Sequence, residues 1–285
     1  MSNCYDFDGK LKKIFGQDKL FIDELESSGH QTTQLWMDNF EYQIKRFLIQ
    51  NDIVDDIDFD LNKIHEYVSE EYQITDTNGD GISKLGQMFY EYEDAEYSEN
   101  YYQFLKDMRD NVLKCDFYFQ KTPTVRFWFK GQETMTKYHT DMDLGHPPQE
   151  INLWLALTKN EQTGFVIGDN LKDSEDWYSS YDFDRVKFYQ DAESKETEEF
   201  DEFGKSITSD AESNRIIIFD SRMIHSAIDR SDDDTTRVSI DVRINPVEDF
   251  VDGYVGKGRM SAEFKPAGRF GYHEKSIDEI WSYRR

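Results

Sequence analysis

Three segments of this chain alternate, residue by residue, between an apolar side chain and a polar or aromatic one. In Thr124–Lys130, Val125, Phe127 and Phe129 alternate with Arg126 and Trp128. In Ile151–Leu157 the aliphatics Ile151, Leu153, Leu155 and Leu157 stand opposite Asn152 and Trp154, and Arg237–Ile244 repeats the pattern. Successive side chains of a strand point to opposite faces, so each segment predicts a strand with one apolar face and one mixed face. The apolar face has to be covered from outside, while the mixed face keeps hydrogen-bond donors around a polar cavity. Together these strands predict a barrel over about residues 121–250.

Cover for the barrel is expected upstream, where residues 1–120 read as mainly helical. Leu35, Phe40, Ile44, Phe47 and Leu48 recur at helical spacing, and Phe89 to Val112 repeats the habit with aromatic residues. An α+β fold follows, with N-terminal helices packed on the barrel. The core is interrupted by an acidic insert around 169–213, whose aromatic first part (Trp177, Tyr178, Tyr181, Phe183) suggests a lid. Its second part, from Asp191 to Glu202, reads as a solvated charge run. Residues 251–285 form a glycine-rich, basic extension, with no phosphate-loop pattern in it.

Candidate chemistry centres on Tyr138-His139-Thr140-Asp141. His139 and Asp141 are two residues apart, so on a strand they share a face and can hold one metal ion. His225 follows the apolar run Ile216-Ile217-Ile218-Phe219 and supplies a third candidate ligand. Two imidazoles and one carboxylate leave coordination positions open, an arrangement suited to ferrous iron handling oxygen. Arg237 lies twelve residues beyond His225, with Ser239 on the same face of its strand. A guanidinium fork and a neighbouring hydroxyl can grip the far end of a dicarboxylate. Taken singly, each residue has a plainer reading. His139 could be a core histidine, Asp141 a turn residue with Asp143 equally placed, and His225 a donor to a carbonyl. Arg237 could pair with Asp232, Asp233 or Asp234, and His146 competes as a ligand although Pro147-Pro148 follow it. Their order along strand-like segments is what favours one site.

His139-Thr140-Asp141, His225 and Arg237-Val238-Ser239 resemble the motif set of the iron(II)/2-oxoglutarate-dependent oxygenases. The resemblance spans roughly Thr124 to Ile244, under half of the chain. Leu144-Gly145-His146, Glu150 to Trp154 and Gly164-Phe165 look most like the phytanoyl-CoA-hydroxylase-like branch, which includes members associated with streptomycin-type and surface-sugar biosynthesis. The resemblance implies a double-stranded β-helix, a jelly-roll or cupin-like barrel. It also implies iron(II) on His139, Asp141 and His225, with the distal carboxylate of 2-oxoglutarate on Arg237 and Ser239. Dioxygen would be the co-substrate, and succinate and carbon dioxide the co-products. Asp141 fills the position that would otherwise admit a halide, which favours hydroxylation. Strand phase adds Arg126, Asn152 and Trp154 as residues lining the pocket, and Tyr138 at its rim. Two rival readings remain, a non-redox cupin that binds or isomerises a sugar and an inactive interaction module.

Composition bounds the partners. A formal net charge of −26 argues against nucleic acid or an anionic membrane surface, and permits a small polar substrate that is neutral or cationic. No apolar run approaches the length of a membrane span, and Met1 to Asp6 lacks the apolar core of a secretory signal. Two cysteines, Cys4 and Cys115, are too few for a disulfide framework and predict a cytoplasmic protein. Asp76 to Gly81 opens like a calcium loop but places Ser83 and Gln87 where an apolar residue and a glutamate are required. A glycine-rich turn before a helix is the expected reading there.

Overall fold

A computed structural model describes residues 10–22, 33–75, 82–132, 138–141, 146–147, 149–158, 165–180, 208–209, 215–227, 234–250, 256–257, 263–264 and 272–282. Within them the chain mixes helices with antiparallel sheet. The larger sheet runs β1 (Lys19–Ile22), β7 (Ile216–Asp220), β4 (Ile151–Ala156), β9 (Arg237–Pro246), with both β2 (Phe117–Phe119) and β3 (Thr124–Trp128) paired to the far side of β9. The smaller sheet runs β6 (Thr208–Ser209), β5 (Phe165–Ile167), β8 (His225–Ala227). An isolated bridge between His139 and His225 continues its edge.

The alternation sorts the side chains as a strand must. Val125, Phe127, Leu153, Leu155, Val238, Ile240 and Val242 all enter one large buried core with the N-terminal helices. The opposite face contributes Trp154, Ala156, Ile217 and Phe219 to a separate cluster with Ile167, Leu171 and Met223, which joins the two sheets. In Ile216–Asp220 every residue is buried, because both faces of β7 are covered.

Helix α2 (Thr33–Gln50) buries Trp36, Met37, Phe40, Ile44, Phe47 and Leu48, an i, i+3/i+4 stripe. Leu35, expected on that stripe, lies on the outer side at 39% exposure, and Trp36 and Met37 take its place. Helix α5 (Ala95–Asp107) begins at Asp94, whose carboxylate accepts from Tyr97 N at 2.9 Å, and lays Tyr97, Tyr101, Phe104 and Leu105 on the same core. Phe104 meets Phe40 edge-on at 5.4 Å. Between them α4 (Lys84–Tyr90) presses Gly86 against β3, where a Cβ would stand 2.9 Å from Val125 O.

The structure refines two expectations. The N-terminal region is not all helix, because Lys19–Ile22 pairs with β7 across nearly two hundred residues of sequence and so completes the sheet edge. A four-residue edge strand carries almost no local pattern, and its pairing is set by a partner that sequence proximity does not reveal. The start of the acidic insert is likewise a helix, α6 (Leu171–Ser179), with Leu171, Ser174 and Trp177 buried at helical spacing, so that stretch is core rather than lid. The rest of the proposed insert, 181–207 and 210–213, lies outside the described residues, as does the calcium-like stretch 76–81. On either side of the latter, Thr75 bridges Ser83, and Ser83 Oγ caps α4 by accepting from Gly86 N at 3.2 Å. Among the described residues no helix is long and apolar enough to cross a membrane.

Candidate metal centre

His139 and His225 are joined first by their backbones. His139 N donates to His225 O at 3.0 Å and His225 N to His139 O at 2.9 Å, the reciprocal pair of an antiparallel bridge. Their rings therefore face each other, with centroids 4.2 Å apart. His225 is aimed by the turn before it. Asp220 Oδ1 accepts from Arg222 N at 3.0 Å and from Arg222 Nε at 2.9 Å, while Met223 N reaches Asp220 O at 2.9 Å. Within that turn Ser221 O accepts from Asp141 N at 2.9 Å and brings the third residue in.

Asp141 Oδ1 lies 3.7 Å from His139 Nε2 and 3.6 Å from His225 Nε2. Among the described residues His139, Asp141 and His225 are the one group of acidic, histidine or cysteine side chains that could hold a metal ion, with donor atoms within 4.8 Å of one another. An ion about 2.1 Å from each donor needs neighbouring donors roughly 3–3.5 Å apart, so the two carboxylate–imidazole distances fit after a contraction of a few tenths of an ångström. All three are buried.

Surrounding groups fix the donors. His225 Nδ1 lies 2.9 Å from Met223 O, a hydrogen bond that places the ring proton there and leaves Nε2 as the lone pair facing the site. Asp141 Oδ2 accepts from Asn152 Nδ2 at 2.6 Å and faces Arg243 Nη2 at 3.4 Å. Burial by itself would raise the Asp141 carboxyl, but the Arg243 guanidinium, with the neighbouring His139 ring, holds it well below the usual carboxylate range. Burial, reinforced by the neighbouring His139 ring, pushes His225 down to about 3.

Behind Arg243 a buried polar chain runs away from the cluster. Glu150 Oε1 lies 3.4 Å from Arg243 Nε and 3.0 Å from His146 Nδ1, and Tyr272 donates its hydroxyl to Glu150 Oε2. Burial and then the Glu150 charge hold the Tyr272 phenol well above its ordinary value, so it remains a donor. His146, the competing ligand of the sequence reading, is thus engaged by Glu150. Arg243, Glu150 and Tyr272 were not singled out from sequence. Only Arg243 carried a signal, since it shares strand parity with Arg237 and Ser239.

The other expected residues separate into distinct roles. Arg237 is 3% exposed and its guanidinium carbon stands 5.0 Å from the Trp128 ring and 5.9 Å from that of Trp154. Trp154 is therefore a platform under Arg237. Ser239 is fully buried, and its hydroxyl has no hydrogen-bond partner among the described residues. Arg126 forms an ion pair with Asp241 on the neighbouring strand. That carboxylate shares whatever polar role the arginine plays. Asn152, expected in the pocket lining, is bound to the Asp141 carboxylate. Tyr138, expected at the rim, is 6% exposed and packs edge-on against Trp177 at 6.2 Å.

No protein-family model matches the chain. A stretch of 42 residues is 38% identical to the streptomycin biosynthesis protein StrG of Streptomyces griseus, covering 15% of this chain and 21% of that one. The chain thus spans about a fifth of that relative's length. Similar solved structures include EctD from S. alaskensis with 2-oxoglutarate and 5-hydroxyectoine, at 12% identity and a TM-score of 0.46, covering 96% of this chain and 91% of that one. Another is the non-heme α-ketoglutarate-dependent epimerase SnoN from nogalamycin biosynthesis, at 8% identity and a TM-score of 0.41, covering 83% and 81%.

Proposed function

We propose that this chain is an iron(II)- and 2-oxoglutarate-dependent dioxygenase that hydroxylates a C–H bond of a small polar metabolite. The observation that carries the reading is the placement of Asp141 Oδ1 between the Nε2 atoms of His139 and His225, at 3.7 and 3.6 Å. Two imidazoles and one carboxylate make a donor set with open positions on the opposite side, which suits non-heme iron.

Strand order supports the matching fold. From β3 onward the chain alternates between sheets as β3, the His139 edge, β4, β5 with β6, β7, β8 and β9. That path is what a double-stranded β-helix follows, with the metal donors on its smaller sheet. The finer placement, in the phytanoyl-CoA-hydroxylase-like branch, rests on the sequence resemblance. The 42-residue likeness to a streptomycin biosynthesis protein agrees with it.

Each residue has a part. His139, Asp141 and His225 would hold the iron, and His225 does so in one tautomer because Met223 O takes its other proton. Asn152 occupies Asp141 Oδ2, which leaves Oδ1 for the ion and keeps the carboxylate from spreading over a second coordination position. Arg237 and Ser239 would bind the distal carboxylate of 2-oxoglutarate, the guanidinium oriented by Trp128 and Trp154. Asn152, at the metal cluster, and Trp154, under Arg237, are two residues apart on one strand, about 7 Å, a span comparable with a five-carbon dicarboxylate. Iron chelated by 2-oxoglutarate would supply the oxidising chemistry, consuming dioxygen and releasing succinate and carbon dioxide. Arg126 and its partner Asp241 remain candidates for meeting the polar substrate. The scarcity of cysteine fits a reducing compartment, and we keep the cytoplasm as the site of action.

Anaerobic addition of 2-oxoglutarate to the iron(II)-loaded protein tests the reading. A weak visible charge-transfer band should form and should be missing from His225→Ala. Once air is admitted, succinate formation should rise with one member of a panel of sugars, aminocyclitols and amino acids. No band in either protein, with sugar turnover that needs no oxygen, would instead establish the non-redox cupin.

A further inference from the structure

We infer that Tyr272, from the C-terminal segment, is a positioning residue for the metal group, acting through Glu150 and Arg243 on the Asp141 carboxylate. The inference rests on the metal-binding reading of His139, Asp141 and His225.

The chain of contacts runs from the half-buried Tyr272 to the buried Glu150, Arg243 and Asp141. Tyr272 donates to Glu150 Oε2, Glu150 Oε1 lies 3.4 Å from Arg243 Nε, and Arg243 Nη2 lies 3.4 Å from Asp141 Oδ2. Glu150 is 1% exposed and Arg243 is 7% exposed, so neither charge is relieved by bulk water. Tyr272 is held in register by its own backbone: it bridges Gln120, and His273 N donates to Phe119 O at 2.8 Å. The Phe250 ring meets Tyr272 edge-on at 5.5 Å. An otherwise peripheral segment thus delivers one hydroxyl to the middle of the polar layer behind the cluster.

Arg243 stands between two carboxylates and is shared by them. What it gives to Glu150 it withholds from Asp141. The Tyr272 hydroxyl satisfies Glu150 Oε2, and this lets Arg243 keep Nη2 on Asp141 Oδ2. With Oδ2 held by Arg243 and Asn152, Asp141 presents a single oxygen to the ion. Glu150 has a second effect, because its charge offsets that of a guanidinium placed close to a dication.

Removing the two ends of this relay pushes Arg243 in opposite directions. In Tyr272→Phe, Glu150 loses a donor and draws Arg243 toward itself, so Asp141 Oδ2 is left with Asn152 alone and is freer to approach the ion. In Glu150→Gln, Arg243 loses its second partner, turns to Asp141 and competes with the ion. The test is cobalt(II) binding to the full chain, read as affinity and as the visible ligand-field spectrum, with the melting temperature of each metal-free protein measured alongside. Tyr272→Phe should keep wild-type affinity or better with a weaker, higher-coordinate spectrum. Glu150→Gln should lose affinity about tenfold, within the range typical of groups supporting metal ligands. Wild-type affinity and spectrum in both variants, or an equal loss in both, overturns the inference. If Tyr272→Phe does not fold, Glu150→Gln decides alone, and unchanged affinity there is fatal. Failure of the wild-type chain to bind cobalt at all would instead sink the metal-site reading beneath it.

Discussion

The backbones of His139 and His225 exchange two hydrogen bonds, of 3.0 and 2.9 Å, although 86 positions separate them in the chain. A register shift of one residue would turn both imidazoles to the opposite face, so strand pairing and ligand placement are one and the same event. The metal group is therefore as rigid as the edge of the smaller sheet.

Asn152 donates a hydrogen bond of 2.6 Å to the Asp141 carboxylate from a buried position. Asn152→Ala should lower metal affinity by about 10- to 100-fold while the fold persists. Competition against a chromophoric chelator measures this, and unchanged affinity would remove Asn152 from the site.

Arg237 is clamped between Trp128 and Trp154 and shares its strand face with the buried hydroxyl of Ser239. Arg237→Ala should raise the KM for 2-oxoglutarate at least about tenfold, the loss expected for a charge-assisted bidentate contact. Metal content should stay near normal. Arg237→Lys should recover only part of the loss, because an ammonium cannot match a carboxylate with two parallel donors. If metal is lost instead, Arg237 supports the fold and does not bind the co-substrate.

Gly86 touches β3 so closely that an added Cβ would lie 2.9 Å from Val125 O, and closer still to Ile82. Backbone on one side cannot retreat cheaply, so Gly86→Ala should destabilise the protein by about 1–3 kcal/mol in denaturant unfolding. Iron binding by the folded fraction should be unaffected, since α4 lies on the outer, apolar face of the sheet.

In the metal-free protein, acid should act through the cluster. His225 is depressed to about 3 in the folded state from an ordinary value of 6.5, so the unfolded chain binds its proton first as pH falls. Asp141 is also depressed, and the sign is the same: its contribution is present above the unfolded carboxylate value and is lost toward lower pH. Stability should therefore drop between about pH 6.5 and 3 more steeply in wild type than in His225→Asn. Parallel pH profiles of the urea midpoint would show that His225 does not contribute.

Much of this was legible from residue order, for a physical reason. β3, β4 and β9 are covered on one face by helices and open on the other to a polar layer, and that asymmetry is written as period-two alternation. His139, Asp141 and His225 stand out because few histidines compete with them. What stayed hidden depends on long-range pairing. β1 joins β7 through four residues with no pattern of their own, and the acidic composition around Leu171, Ser174 and Trp177 masked their helical spacing. Asn152 was found by strand phase as a lining residue but without its partner Asp141, since parity tells which face a side chain takes and not what waits there. Tyr272 could not have been found, because nothing near it in sequence points to Glu150.

Equilibrium dialysis against iron(II) under argon addresses the central claim most directly, with wild type compared against His139→Ala, Asp141→Ala and His225→Ala. The account predicts one ion per chain in wild type and loss of that ion in each variant, with all four proteins folded. One tightly bound ion retained in all three variants would place the metal elsewhere and contradict it.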